Sequence, residues 1–178
     1  MKYFISLILF YLIPAGLYSQ DTIRNFQIED KNIIWLKIID TDMLFNDILE
    51  NITESGIISI ENINEDKITG HFKSLNPDFK SIGYTTMNVP MIISRNTLEG
   101  FLILEYKPGK YRITIKRIYF NKKYDDGLSK QDEKTSLETI SLTRNNTFNN
   151  VFQKSISDVL NHTFLTTFQF EKKKVDEW

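Results

Sequence analysis

Histidine is the side chain that most readily moves protons near neutral pH, and the sequence contains two, His71 and His162. They fall on different predicted elements, and neither has a second histidine three or four residues away, as paired imidazole ligands of one metal ion often do. Strand alternation places His71 on the same face as Thr69 and Lys73, the polar side of its strand. We interpret His71 as an exposed surface residue and His162 as a boundary residue beside the apolar stripe of the last helix.

Carboxylates occur in three clusters that suggest calcium ligands or an acid–base pair. None has the alternating Asp or Asn spacing and the closing Glu of a calcium loop, and carboxylates are ordinary in turns and at helix N-termini. The sequence also has no Gly-X-Ser-X-Gly motif, no glycine-rich phosphate loop and no cysteine. It therefore predicts no catalytic residue, no metal and no cofactor. The clusters are Asp40 with Asp42, Glu61 with Glu65 and Asp66, and Asp125 with Asp126.

Basic and aromatic residues are interleaved in one stretch, a pattern that resembles a nucleic-acid surface. Two observations oppose this interpretation. Glu105 is placed to neutralise Arg112 across a predicted hairpin, and the chain carries 22 Lys and Arg against 23 Asp and Glu, a net charge of -1. We therefore predict no nucleic-acid partner. The stretch contains Lys107, Lys110, Tyr111, Arg112, Lys116, Arg117, Tyr119, Phe120, Lys122 and Lys123.

The first residues have the three parts of a secretory signal peptide. Lys2 supplies the positive charge, an apolar run extends from Tyr3 to Ile13, and Ser19 is the small residue before the predicted cut. The run is shorter than the roughly 18 residues that a permanent membrane helix needs, and Pro14 interrupts it. Cleavage is the favoured interpretation, and an uncleaved anchor is the alternative.

These features predict a signal peptide at residues 1–19, a single domain at 20–170 and a polar tail at 171–178, with no transmembrane segment after cleavage. We expect the protein in the periplasm or outside the cell. A domain of this length can bury a sizeable core without disulfides.

The hydrophobic pattern of the domain predicts five strands and two helices in the order β-α-β-β-β-β-α, an α+β fold with both helices on one face of an antiparallel sheet. Two stretches, 76–96 and 120–138, are too irregular or too polar to assign, and a short strand is expected at 139–142. The predicted strands are 33–39, 57–63, 67–75, 98–107 and 110–119. The first helix follows an N-cap at Asp40-Thr41 and ends at Gly56, and the second begins near Asn146-Thr147 with an apolar stripe that includes Val151.

The clearest local prediction is the hairpin around Pro108-Gly109, a dipeptide that fits the centre of a tight turn. A two-residue turn pairs Leu104 with Ile113 on an apolar face that must be core. The same register pairs Tyr106 with Tyr111 and Leu102 with Ile115 on that face, and Glu105 with Arg112, Ile103 with Thr114 and Phe101 with Lys116 on the other.

Several of these segments together resemble a Bacteroidetes family of exported domains of unknown function with a TATA-binding-protein-like fold. The resemblance rests on the signal that ends in Ser19-Gln20, the entry strand with Ile34-Trp35, the helix that follows it, the strand Lys67-Ile-Thr-Gly70 and the hairpin from Lys107 to Ile115. It covers roughly residues 27–165, and the polar insertion at 121–138 departs from it. The family has no assigned activity, so the resemblance implies a fold and a compartment and no functional residue.

The favoured function is a non-enzymatic envelope or secreted module that binds a protein or small-molecule partner through the sheet face away from the helices. Phe101, Ile103, Thr114 and Lys116 lie on that face in the predicted register and are the candidate binding residues. Two other classes stay open. A structural or assembly subunit would use the same face to form an oligomer. An enzyme of an unfamiliar kind would use His71 and the carboxylates near it, in which case a deep pocket should converge on His71.

Overall fold

The sequence folds into an antiparallel sheet with helices packed on one side, in a computed structural model that describes residues 22–123 and 134–172. Within these residues the sheet has seven strands in the order β1-β2-β6-β5-β4-β3, and β7 pairs with β6. The elements are β1 (Phe26–Glu29), β2 (Asn32–Asp40), α1 (Phe45–Ser55), β3 (Ile58–Ile63), β4 (Lys67–Leu75), α2 (Met91–Ser94), β5 (Asn96–Lys107), β6 (Lys110–Lys122), β7 (Lys134–Ser136), α3 (Leu137–Ser141), a π-helical turn (Phe152–Ile156) and α4 (Ser157–Phe168).

The predicted α+β class is confirmed, and so is the antiparallel sheet with its two long helices on one face. Apolar side chains of α1 and α4 belong to one hydrophobic core with the inward-facing residues of the strands. Aromatic rings join the layers, because Phe164 of α4 packs edge-on against Trp35 at 5.5 Å between centroids and against Phe72 at 6.0 Å. None of the helices in the described parts of the chain is long and apolar enough to cross a membrane.

The hairpin of β5 and β6 has the predicted register at every pair. Gly109 has a φ of +86°, which glycine adopts without the clash that a Cβ atom causes, so the Pro108-Gly109 turn closes over two residues. Leu104 and Ile113 are completely buried, whereas Ile103 is partly exposed. The inward and outward faces of the hairpin are therefore those that the alternation predicts.

The sequence pattern did not predict β1, although its first residue, Phe26, is completely buried. Asp30 and Lys31, both with positive φ, turn the chain tightly from β1 into β2. The strand is only four residues long, too short for its alternation to stand out. β7, which is shorter still, was missed for the same reason.

Two boundary predictions were wrong. The first helix does not begin at Asp40-Thr41, because Asp40 still pairs with Lys110 in the sheet. Helix α1 begins at Phe45, and the Asp47 side chain caps it by accepting a hydrogen bond from the Leu44 amide at 3.0 Å. Residues 139–142 do not form a strand, because the Ser136 hydroxyl accepts a hydrogen bond from the Thr139 amide and caps α3.

The last helix also differs from its prediction, because it begins at Asn150 rather than near Asn146-Thr147. At this start the Asn149 side chain accepts a hydrogen bond from the Phe152 amide at 2.9 Å.

Residues Phe152–Ile156 form a π-helical turn, which holds about one residue more than an α-helical turn. The extra residue rotates the residues before the turn, such as Val151, away from the face that a continuous α-helix would give them. Val151 was predicted on the buried stripe, but its side chain is 52% exposed. From Ile156 onwards the predicted stripe is buried as expected.

A hydrogen-bond network fastens the N-terminal segment to α4. The Asn161 Oδ1 atom accepts hydrogen bonds from Trp35 Nε1 at 3.0 Å and from Asn25 Nδ2 at 2.7 Å. Arg24 donates to the Ser157 hydroxyl at 2.8 Å and forms an ion pair with Asp158. One amide therefore satisfies the buried indole N–H, which would otherwise cost free energy as an unpaired donor.

Candidate ligand-binding face

The four predicted binding residues lie together on the sheet face away from the helices, which we call the open face. Phe101 pairs with Lys116, and Ile103 pairs with Thr114, so they form two successive cross-strand pairs at the centre of the sheet. Thr114 is only 7% exposed because Ile103 on one side and Leu36 on the other pair directly with it. Their position is as predicted, and their role in binding stays a prediction.

A β-bulge lies beside these pairs. Glu99 pairs with Tyr119 and Phe101 with Lys116, so Gly100 alone lies opposite two residues of β6, Arg117 and Ile118. Gly100 is required by packing, because a Cβ atom there would lie 2.7 Å from Cζ of Phe72 in the core.

Arg117 has a φ of +52° in this bulge, a conformation that is strained for a residue with a side chain by about 1–2 kcal/mol. The bulge directs its guanidinium over the ring of Phe101, with 5.3 Å between the Cζ atom and the ring centroid. His71, which pairs with Phe101 from the neighbouring strand β4, packs against the Phe101 ring at 4.9 Å between ring centroids. Phe101 is thus flanked by a guanidinium and an imidazole.

A pocket of about 390 Å³ opens at this end of the open face. It lies over the strands β3, β4, β5, β6 and β7, so residues far apart in the sequence meet there. Its lining has three cations and two carboxylates together with aromatic rings. The lining residues are Ser59, Glu61, His71, Phe72, Lys73, Glu99, Gly100, Arg117, Tyr119 and Lys134.

Both carboxylates of the pocket already have partners. Glu61 Oε1 lies 3.1 Å from His71 Nε2, and Glu99 accepts hydrogen bonds from Lys134 and from Asn121, the latter at 2.8 Å. Burial by itself would raise the pKa of Glu99, but these hydrogen bonds and the nearby positive charges outweigh it and hold the pKa below its ordinary value. Glu99 is therefore ionised at neutral pH and neutralises Lys134.

Lys73 and Arg117 differ from the other cations on this face. In the described residues neither lies within 4.0 Å of a carboxylate, whereas Arg112 is bound to Glu105 at 2.7 Å and Lys116 lies 3.8 Å from Glu29. The predicted Glu105–Arg112 pair is thereby confirmed, with both the Nε and NH2 groups donating to Glu105 Oε2. The pocket therefore holds two cations without a direct ion-pair contact among the described residues, although the charge of Lys73 still helps to lower the pKa of Glu99.

Glu99 and Lys134 of this pocket were not predicted from the sequence, and Arg117 and Tyr119 were noted only as members of the interleaved basic and aromatic stretch. One signal was present. Gly100 interrupts a strand of otherwise bulky residues, and an isolated glycine within a strand often indicates a bulge. The register that aligns five strands cannot be inferred from such a signal alone.

A second depression, of about 520 Å³, lies on the helical side between α4 and the loop that precedes α2. His162 lies there as the predicted boundary residue, with its Nε2 atom 3.3 Å from Asp78 Oδ2. Hydrogen bonds from Ser81, with a smaller contribution from His162, hold the pKa of Asp78 below its ordinary value. The pKa of Tyr84 is raised mainly by burial and further by the charge of Asp158, to which the Tyr84 hydroxyl donates a hydrogen bond. These contacts fasten the loop to α4.

No group of three or more potential metal-ligating side chains occurs in residues 22–123 and 134–172. The predicted acidic clusters behave as turn and strand residues where the structure describes them, since Glu61 binds His71 and the Asp66 carbonyl accepts a hydrogen bond from the Tyr106 amide. The cluster Asp125-Asp126 lies outside the described residues.

Known proteins resemble this chain in fold and not in sequence. No family model matches the sequence, and no curated protein matches it. The structure is similar to that of a TBP-like protein from Parabacteroides distasonis, with a TM-score of 0.51 at 12% sequence identity over 80% of this chain and 91% of that one. The fold is TBP-like. A DUF4468 family protein from Bacteroides ovatus is also similar, with a TM-score of 0.47 at 13% identity over 83% of this chain and 92% of that one.

The first likeness confirms the fold that the sequence resemblance implied. Both solved proteins come from Bacteroidetes, and one carries the name of a domain family of unknown function. At this level of identity the likeness concerns the fold alone, and a TBP-like fold does not by itself imply binding to DNA.

Proposed function

We propose that this chain is an exported, non-enzymatic module that binds a partner or a small ligand on the open face of its sheet. The observation that carries the proposal is the contrast between the two faces. Both long helices pack on one face, and the other face has a pocket beside the pairs Phe101–Lys116 and Ile103–Thr114.

The chemistry of the open face suits recognition. It places partly buried apolar side chains next to a flanked aromatic ring and two cations without carboxylate partners in the described residues. The pocket is concave like most ligand sites, but its walls are mainly charged and polar, so it suits a charged ligand. A peptide, a glycan or an anionic lipid headgroup would each meet these groups.

A capture experiment from envelope extract tests the proposal. The bait is the protein purified from cells that express the full coding sequence, and the variant Ile103→Ala removes apolar contact area from the open face. Val151→Ala, an exposed position on the helical side, is the matched control. We expect a bound molecule that Ile103→Ala releases and Val151→Ala retains. Equal recovery by all three baits would contradict the proposal.

Export is tested separately, because residues 1–21 lie outside the described part of the structure. We propose a mature protein that begins at or near Gln20, a domain to residue 170 and a tail beyond it. Intact-mass measurement of the protein recovered outside the cytoplasm checks the cut. A mass that still includes Met1 to Ser19 would show that the segment is an anchor or is not processed.

An enzyme is the second candidate, and one observation favours it. The pocket contains His71, Glu61 and Ser59, with Ser59 directly opposite His71 in the β3–β4 pair. Binding ranks first because the His71 Nε2 atom is engaged by Glu61 and its ring packs against Phe101. Turnover of a captured ligand by the wild type, abolished in His71→Gln with the ligand still bound, would favour the enzyme.

A subunit that assembles through the open face would instead show an oligomer that Ile103→Ala dissociates.

A further inference from the structure

Arg117 occupies a backbone position where glycine would be easier to accommodate. Its φ of +52° falls in the left-handed region, and it is the unpaired residue of a bulge inside the sheet rather than part of a surface turn. Strained residues of this kind cluster at binding sites, where the surrounding structure maintains them. Ser74, in the irregularity of β4, also has a positive φ, so the strain at Arg117 suggests a role in binding only together with the position of its side chain in the pocket.

The strained backbone has a specific result. It turns the Arg117 side chain out of the strand alternation and over the Phe101 ring, where its guanidinium lines the pocket. Lys73, from the neighbouring part of β4, lines the same pocket. A guanidinium and an ammonium group that line one pocket are suitable donors for a carboxylate, which the guanidinium can bind through two parallel hydrogen bonds.

The charge balance of the pocket selects a ligand with one negative charge. Three cations line it against two carboxylates, and both carboxylates are engaged, Glu61 by His71 and Glu99 by Lys134. Counted without the imidazole of His71, the three cations and two carboxylates leave one positive charge in excess. A monoanion completes the balance, whereas a cation or a dianion would leave a net charge in a partly enclosed site.

We propose that this pocket binds the carboxylate of a small ligand whose aromatic or apolar part packs against the His71 and Tyr119 rings of its lining. Arg117 and Lys73 bind the carboxylate, and the rings of His71 and Tyr119 contact the apolar part. The inference rests on the proposed binding function of the open face and assigns the ligand class for it.

The first experiment uses benzoate as the probe and benzamide as its uncharged counterpart. Amide chemical shifts of the isotope-labelled protein are followed during titration. We expect benzoate to shift the amides of Gly100, Phe101 and Arg117 in a saturable way, and benzamide to bind at least tenfold more weakly. Phenyl phosphate is the third probe, and if it binds more tightly than benzoate, the assignment to a carboxylate is wrong.

The second experiment separates binding from folding through Arg117→Gly. Glycine adopts the positive φ without strain, so we expect a melting temperature no lower than that of the wild type, with benzoate affinity reduced at least tenfold. Lys31→Gly is the matched control, because Lys31 also has a positive φ, of 67°, and does not line the pocket. This control should retain wild-type affinity. Arg117→Lys, which keeps the charge and loses the planar fork, should have an intermediate affinity.

The outcomes distinguish this inference from the broader proposal. If benzoate shifts no amide of the pocket, or if Arg117→Gly binds it as well as the wild type does, the carboxylate site is wrong. The binding function of the open face then depends on the capture experiment with Ile103→Ala, which leaves Arg117 unchanged. If that capture also fails, both are wrong.

Discussion

The two faces of the β5–β6 hairpin are built from alternate residues of the same strands, yet they differ in almost every property. On the helix-covered face, Leu102, Leu104, Ile113 and Ile115 are completely buried against the core. On the open face, Thr114 is buried between its neighbours, but the other alternate residues are at least partly exposed, and they include the pair Glu105 with Arg112 and the residues around the bulge.

This difference separates two tasks within one hairpin. The covered face supplies stability through buried apolar area, which scales with the surface removed from water. The open face contributes less of that buried area, so its residues can adopt conformations that cost some stability, such as the positive φ of Arg117. Substitutions on the two faces should therefore have separable effects, and the following experiments test this separation.

The largest effect is expected in the core. Leu104→Ala or Ile113→Ala should lower the free energy of unfolding by about 2–5 kcal/mol, because each leaves a cavity among packed side chains. Ile103→Ala, one residue away on the open face, should cost far less. Denaturant unfolding of the three variants measures the difference. Equal losses would mean that the sheet is buried on both sides, and the open face would not exist.

Gly100 connects the two faces, because its open side lines the pocket and its covered side contacts Phe72. Gly100→Ala should destabilise the fold by about 1–3 kcal/mol, since the added Cβ atom overlaps the Phe72 ring and the core must shift. A thermal melt compares it with the wild type. An unchanged melting temperature would show that the close approach of Phe72 does not constrain the bulge.

Glu99 tests whether a charge on the open face also supports the fold. Its pKa is lowered from the ordinary 4.5, so its stabilising contribution is present above that value and disappears as the pH falls through the lower, folded pKa. Glu99→Gln should cost about 1 kcal/mol at pH 7, because Lys134 is half exposed and solvent weakens the pair. Unfolding curves of wild type and variant should converge in acid. If the stability difference between wild type and Glu99→Gln is the same at all pH values, it comes from the change in side-chain packing and not from the charge of Glu99.

The Glu105–Arg112 pair should contribute under about 1 kcal/mol, as exposed ion pairs do. A double-mutant cycle with Glu105→Gln and Arg112→Gln at low salt and at high salt gives the coupling energy. A coupling well above this value, or one that salt does not reduce, would show that the open face stabilises the hairpin more than its exposure suggests.

The smallest effect is expected with nucleic acid. Because Arg112 is paired with Glu105 and Lys116 lies near Glu29, affinity for labelled oligonucleotides should be weak and vanish by ordinary salt. Titration of single-stranded and duplex probes at two salt concentrations checks this. Sub-micromolar binding at physiological salt, lost in Lys110→Gln, Arg112→Gln and Lys116→Gln together, would make the open face a nucleic-acid surface.

Local signals predicted the parts of the fold that depend on neighbouring residues. The hairpin register follows from Pro108-Gly109 and from strict alternation on both sides, and both are visible in the sequence. The four candidate residues were placed on the correct face for the same reason. Phe26 was not recognised as core, because a four-residue strand has too little periodicity and its burial depends on Phe152 and Phe164, more than a hundred residues away.

The pocket was beyond sequence reasoning for a related physical reason. Its charges come from five strands, and the contact of Glu99 with Lys134 depends on the pairing of β7 with β6. A shift of one residue in any strand would move a side chain to the other face. Only the bulge had a local signal, Gly100, and its consequence for Arg117 required the three-dimensional register.

Asn161 has a consequence for how the protein is produced. It begins the tripeptide Asn161-His162-Thr163, an acceptor pattern for N-linked glycosylation in eukaryotic secretory pathways. In the fold its side chain receives hydrogen bonds from Trp35 and Asn25. A glycan attached to the nascent chain would place a bulky sugar where α4 meets the sheet. Eukaryotic secretion should therefore yield misfolded, glycosylated protein, and a host without this modification should yield the native chain.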